Sequence, residues 1–286
     1  MRRRKFLKGV FDQATLGAAV SIIIGLFEVW CPGVWSYLST DTRPTSITTE
    51  SNISRITNDN RYILTYNWSD QSNWRWRSEF SIKQSVYAEA AEQSHGYFSA
   101  YEDAKTSRHV ERLTERFATT TLVEGNPDQP LSESARFERA LGFVHSLEYM
   151  TDIDTKGVPE YIRPAEETLV DGGGDCEDLT YLLAGILSQP SFGYRTAMVL
   201  LPGHMLVGVH KNDLPVAYTG APTLPGDEYV AIESVRPQPV GVYRDEPVLA
   251  IYNDGFEYVD RSAVIDTTTK FFQDPTEFQT VADLRI

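Results

Sequence analysis

Asp171-Gly172-Gly173-Gly174-Asp175-Cys176-Glu177-Asp178-Leu179-Thr180 joins a triple-glycine turn to the first turn of an apolar-striped helix. Asp175 stands at the N-cap position and Asp178 follows three residues later, in the manner of a capping box. Leu179, Leu182, Leu183, Ile186 and Leu187 then recur at helical spacing, which predicts a helix over 175–188 with Cys176 at its start. Beyond it Pro190 and Gly193 end the helix, and apolar runs predict strands at 194–201, 204–210, 229–235, 248–252 and 256–259. Before it, Phe137, Ala140, Leu141 and Val144 share one face of a helix over 132–147. Weaker periodicity predicts helices over 83–93 and 106–117, preceded by two aromatic strands at 62–68 and 74–82. Helices first and an antiparallel sheet after them define an α+β fold, with helices packed on the sheet and Cys176 at a helix N-terminus.

The organisation expected along the chain is a signal or anchor over 1–38, a Ser/Thr-rich linker over 39–59 and an accessory region over 60–130. A core over 131–265 and a weakly patterned tail over 266–286 complete it. The 286 residues carry a net charge of −14, although Arg2, Arg3, Arg4, Lys5 and Lys8 crowd into the first turn of the chain. The body is therefore strongly acidic, which repels phosphate backbones and excludes nucleic acid as a partner. Only seven of the 26 basic residues are Lys, a surface suited to high salt, where screening removes self-repulsion.

Arg3-Arg4-Lys5-Phe6-Leu7-Lys8 resembles the twin-arginine export signal, and an uncharged run over 14–27 follows it. Positive charge before the apolar run predicts a cytoplasmic N-terminus and an extracytoplasmic body, secreted or tethered to the membrane through this segment. The sequons at Asn52 and Asn67 agree with export. There are two cysteines. Cys31 lies in or beside the anchor, so the body keeps one thiol without a disulfide partner.

The chemistry gathers on three separate elements. Cys176 opens a helix, His204 follows Pro202-Gly203 at a strand start, and Glu233 is a carboxylate within an apolar strand, where it needs a partner. Cysteine, base and orienting acid are the parts of a thiol nucleophile, whose pKa must come down from ~8.5. A helix N-terminus favours the thiolate, whereas Asp175, Glu177 and Asp178 oppose it, leaving a protonated His204 to offset them. Strand alternation puts His204, Leu206 and Gly208 on one face and Tyr229, Ala231 and Glu233 on another, so coincident faces would join imidazole to carboxylate. A metal site from Cys176, His204 and His210 is a weak third reading, because the two histidines stand ~20 Å apart at the rise of a strand. No metal and no cofactor are expected. Met198 and Met205 occupy core positions.

At these residues the chain resembles the transglutaminase-like superfamily of cysteine enzymes, and within it archaeal transglutaminase-like proteins. The likeness is carried by Gly174-Asp175-Cys176-Glu177-Asp178, by Gly203-His204 and by Glu233. It extends through Phe143-Val144-His145-Ser146-Leu147-Glu148-Tyr149 and Glu167 to Asp171, and on to about Asp260. The resemblance implies a papain-like core with Cys176 as nucleophile, His204 as base and Glu233 as the orienting acid, a role in which relatives more often carry Asp. His145 stands where relatives carry Gln. Asp175, His145 and Tyr149 are the candidates for binding the oxyanion or lining the cleft, with Asp152 beside them. The implied activity is cleavage or transfer at peptide or isopeptide bonds of a protein or peptide substrate, through a thioester. The competing expectation is a non-catalytic binding or scaffold module of the same fold, using Trp68, Trp74 and Trp76 as its surface.

Overall fold

In the computed structural model, residues 53–273 are described, except 71, 94, 120, 125–131 and 159. The N-terminal signal, most of the linker and the end of the tail lie outside them. Strand β1 (Ile53–Asn58) pairs antiparallel with β2 (Arg61–Ser69), which pairs with β3 (Arg75–Lys83), which pairs with β4 (Thr121–Glu124). Alternation dictates this sheet: Leu64, Tyr66, Trp68, Trp76, Phe80 and Ile82 are buried, while Asn67, Arg75, Arg77 and Glu79 face out. Asp70 shapes the β2–β3 turn, accepting the Ser72 and Trp74 N–H groups at 2.9 and 3.0 Å and the Trp76 indole N–H at 2.9 Å.

Helices α1 (Gln84–Glu92), α2 (Tyr97–Thr106), α3 (Arg108–Thr119) and α4 (Glu133–His145) follow the strands. Ser132 caps α4, its hydroxyl accepting the Ala135 N–H at 3.1 Å. A short segment, β5 (Glu148–Tyr149), leads to α5 (Asp152–Lys156) and α6 (Ala165–Asp171). Next, β6 (Gly173–Gly174) pairs in parallel with β5, and α7 (Cys176–Ser188) begins two residues on. The second sheet runs β11-β10-β7-β8-β9 with every pairing antiparallel. Its strands are β7 (Thr196–Leu201), β8 (His204–His210), β9 (Tyr229–Ile232), β10 (Ala250–Tyr252) and β11 (Phe256–Val259), and α8 (Arg261–Gln273) closes the described chain.

Helix α7 is the centre of the molecule, in contact with α2, α4, α6, β7 and β8. It is buried on every side, so the expected one-faced stripe understates it: Glu177 and Asp178 are as inaccessible as Leu179. Its neighbours come close because they carry small residues; a Cβ on Gly185 would meet the Ala104 carbonyl oxygen at 2.7 Å. On the opposite face of the sheet a smaller apolar cluster gathers Val199, Leu201, Leu206, Ala231, Val248 and Ile251.

The architecture is α+β, with helices on an antiparallel sheet. Several sequence expectations change in detail. Ile53–Asn58, expected as the end of a linker, is a strand, because its backbone completes the ladder of β2. Helix α2 has no sequence counterpart, since the residues it buries, Tyr97, Ala100, Tyr101 and Ala104, span only eight positions and alternate aromatic rings with alanines. The strand expected over 229–235 ends at Ile232, which leaves Glu233 just beyond it. Helix α8 continues through 266, past the start of the expected tail. Trp68 and Trp76 are buried, so the aromatic pair expected as an interaction surface is core, and Trp74 alone of the three is exposed. Among the described residues no helix is long and apolar enough to cross a membrane.

Candidate active site

His204 and Glu233 meet. His204 Nε2 lies 2.9 Å from Glu233 Oε2, and both side chains are nearly inaccessible. The register explains the meeting: Gly208 pairs with Ala231, so the face of β8 bearing His204 is continuous with the end of β9 where Glu233 projects. The remaining carboxylate oxygen, Oε1, accepts the Val235 N–H at 3.0 Å, which fixes the carboxylate on both sides. Burial works against the charged form of Glu233, yet the neighbouring His204 and the hydrogen bonds prevail and hold its carboxyl below the usual value. A carboxylate of this kind orients an imidazole and favours its charged form.

Cys176 is the first residue of α7 and is wholly buried. Thr180, one turn along the helix, donates its hydroxyl to the Met205 carbonyl at 3.2 Å, so the N-terminal ends of α7 and β8 are held together. Asp175 occupies the N-cap position with extended backbone and forms the expected capping box with Asp178, whose Oδ2 accepts the Asp175 N–H at 3.3 Å. The Cys176 thiol lies 3.1 Å from Glu177 Oε2.

The three carboxylates around the thiol crowd one another as the sequence leads one to expect, and burial adds to their mutual repulsion. Burial pushes Asp175 well above the usual carboxyl range, with the Asp178 and Asp152 charges adding to it. Burial does the same to Glu177, reinforced by Asp175 and Cys176. The third, Asp178, is raised by burial to about 7 despite the opposing charge of Arg163. Burial thus disfavours the charged forms of Asp175 and Glu177, and the Cys176 thiol donates to Glu177 Oε2.

Arg163 is the residue that sequence reading overlooked. Its side chain is fully buried, and Nη1 donates to Asp152 Oδ1 at 2.7 Å and to Asp178 Oδ2 at 2.8 Å. Its backbone N–H adds a bond to Asp178 Oδ1 at 2.8 Å, and Nη2 reaches the Thr155 hydroxyl. Asp152, expected beside the cleft, is a buried member of this network and also accepts the Tyr161 N–H at 2.6 Å. Glu160 lies beside Asp152, and its Oε1 accepts the Tyr97 hydroxyl at 2.6 Å. Asp152, Glu160 and Glu177 bring carboxylate oxygens within 4.8 Å of one another, as do Asp152, Asp175 and Asp178. Both sets have the all-oxygen chemistry that suits a hard cation, and in the second Arg163 already supplies positive charge.

The other cleft candidates are placed as follows. His145, at the end of α4, directs Nε2 to the Glu233 backbone carbonyl at 2.9 Å. A carbonyl only accepts, so Nε2 carries the proton, and burial lowers the His145 pKa against the pull of that bond. Tyr149 lies in β5 opposite Gly174, two residues before Cys176. The glycines before Cys176 are packed against neighbouring backbone: a Cβ on Gly173 would meet the Glu148 carbonyl oxygen at 2.1 Å. Gly172 ends α6 in the left-handed region at φ +81. His210 is at the far end of β8, bonded to Arg195 at 2.8 Å. Met198 and Met205 are core.

No family model matches the chain, and no curated protein does. Among solved structures the chain is similar to calcium-bound Legionella pneumophila LapG, at 16% identity and a TM-score of 0.29, over 66% of this chain and 99% of that one.

Proposed function

We propose that this chain is an exported, membrane-tethered cysteine enzyme of the transglutaminase-like type, with a papain-like core, acting on amide bonds of protein or peptide substrates. The observation that carries the reading is the buried His204–Glu233 bond, at 2.9 Å, set at the end of β8 that Thr180 ties to the helix of Cys176. In this reading the Cys176 thiolate attacks the amide carbonyl, and backbone N–H groups at the start of α7 receive the developing oxyanion. His204 passes a proton to the leaving amine as the C–N bond breaks, which leaves a thioester on Cys176. Water, or an amine, then attacks the thioester with His204 accepting its proton, and the thiolate departs. Export and tethering rest on the twin-arginine-like segment at residues 3–8. Retention of the full chain in the cytoplasm would remove that part of the proposal.

A second reading has one observation in its favour. Cys176 is completely buried, as a thiol kept only for packing would be, and this fits a scaffold module that retains the fold without turnover. Cys176→Ser separates the two. Under the enzyme reading it abolishes biological activity and any hydroxylamine-sensitive acyl adduct detected by intact mass; under the scaffold reading activity is retained in full.

A further inference from the structure

We infer that Thr180 is a positioning residue for the nucleophile, base and acid, acting through a buried hydroxyl relay that runs from Ser234 through Thr180 to the backbone beside His204. The inference rests on the reading of Cys176 as a nucleophile and adds how its three elements are kept in register.

Thr180 Oγ1 lies 3.2 Å from the Met205 carbonyl oxygen and 2.9 Å from Ser234 Oγ, and both hydroxyl side chains are fully buried. The direction of the relay follows from counting protons. A carbonyl can only accept, so the single Thr180 proton goes to Met205, and Ser234 must donate to Thr180. Each atom in the relay is one step from the chemistry. Thr180 is one helical turn from Cys176, Met205 follows His204, and Ser234 follows Glu233.

Threonine inside a helix commonly turns its hydroxyl onto the carbonyl four residues back. Here that carbonyl belongs to Cys176, yet the hydroxyl spans to the sheet instead. A β-branched side chain has little χ1 freedom in a helix, so the hydroxyl is a stiff spacer. On its other side Glu233 is held by its carbonyl, through His145, and by its Oε1, through the Val235 N–H. These contacts are uncharged on the Thr180 and His145 sides, so they hold their geometry without perturbing the charge that His204 and Glu233 exchange. Placement within a fraction of an ångström is what such a group needs.

The test uses the full chain and two readouts. One is the rate of Cys176 alkylation by iodoacetamide. The other is the NMR signal of the His204 ring N–H that bridges to Glu233, shielded from exchange only while that bond holds. Thr180→Val keeps the shape and removes the hydroxyl, and should slow alkylation by about ten- to a hundredfold and erase the protected signal. Thr180→Ser should restore both. Should Thr180→Val fail to fold by circular dichroism, Ser234→Ala, which removes only the upstream donor, takes its place with the same readouts. A folded variant with wild-type alkylation and an intact signal overturns the inference, even if its melting temperature falls. Wild-type Cys176 reacting no faster than in denaturant would sink the nucleophile reading instead. The ring N–H signal then decides the role of Thr180 alone: its loss in Thr180→Val upholds the relay and its retention refutes it.

Discussion

In an Arg163→Met variant the buried Asp152 and Asp178 carboxylates lose the guanidinium that bonds them at 2.7 and 2.8 Å, while the methionine fills a similar volume. Removing one partner of a buried ion pair leaves an uncompensated charge, a loss of about 3–5 kcal/mol. The structure also gives the cost a pH dependence. Asp178 is raised by burial from 3.8 to about 7, even with Arg163 opposing. A carboxyl whose folded value exceeds its unfolded one strengthens folding below the unfolded value, and that contribution is lost as pH rises through the folded value. Without Arg163 the folded value climbs further, so the window of loss extends upward. The variant should therefore lose about 3–5 kcal/mol at pH 8. By pH 5, below the value of about 7 for Asp178, that acid is neutral, and the loss should shrink toward the about 1–3 kcal/mol of hydrogen bonds left unmade. Urea unfolding at pH 5, 6.5 and 8 reads this directly, and the melting temperature at pH 8 should fall by roughly 10 °C. Arg195→Met is the control. Its 2.7 Å pair with Asp213 is half exposed, so it should cost less than about 1 kcal/mol. Equal and small losses for Arg163→Met at every pH would refute the reading of Arg163 as the counter-charge of this network.

Substitutions at three further positions have defined outcomes. Glu233→Gln removes the charge beside His204 and should slow Cys176 alkylation by about tenfold or more. Because the Glu233 carboxyl is held below its usual value, its contribution to stability is present above about 4.5 and lost as pH falls through the folded value, and this acid-side loss should vanish in the variant. His145→Leu strands the Glu233 carbonyl and should destabilise by about 1–3 kcal/mol, whereas His145→Gln, which keeps an N–H donor, should recover most of it by thermal unfolding. Gly173→Ala would place a Cβ 2.1 Å from the Glu148 carbonyl oxygen and should cost about 1–3 kcal/mol or more, read from the urea midpoint.

Much of this was legible in the sequence because period and chemistry agree. The leucine spacing after Cys176 locates α7 to within a residue, and alternation locates β2, β3, β7 and β8. Strand parity offered the meeting of His204 with Glu233 on condition that the two faces coincide; Gly208 does pair with Ala231, and Glu233 follows just past the end of β9. What escaped depends on contacts between distant segments. Arg163 sits in a stretch with Pro159 and Pro164 that carries no period, and nothing local shows that Asp152 and Asp178 converge on it. For Asp175 and Glu177 the sequence shows the mutual repulsion of like charges but not the burial that adds most to it, because burial depends on how α7 is covered. Thr180 and Ser234 look like filler in apolar runs, and their roles appear only when α7 is laid on β8.

Whether Cys176 is an activated nucleophile is tested most directly by its second-order rate with iodoacetamide across pH 5 to 9, in the folded chain, in denaturant and in His204→Ala. Activation by His204 and Glu233 predicts a folded-state rate at pH 7 above that of the unfolded thiol, lost on His204→Ala. A folded rate at or below the unfolded one, unchanged by His204→Ala, would contradict it and leave Cys176 as a buried packing residue.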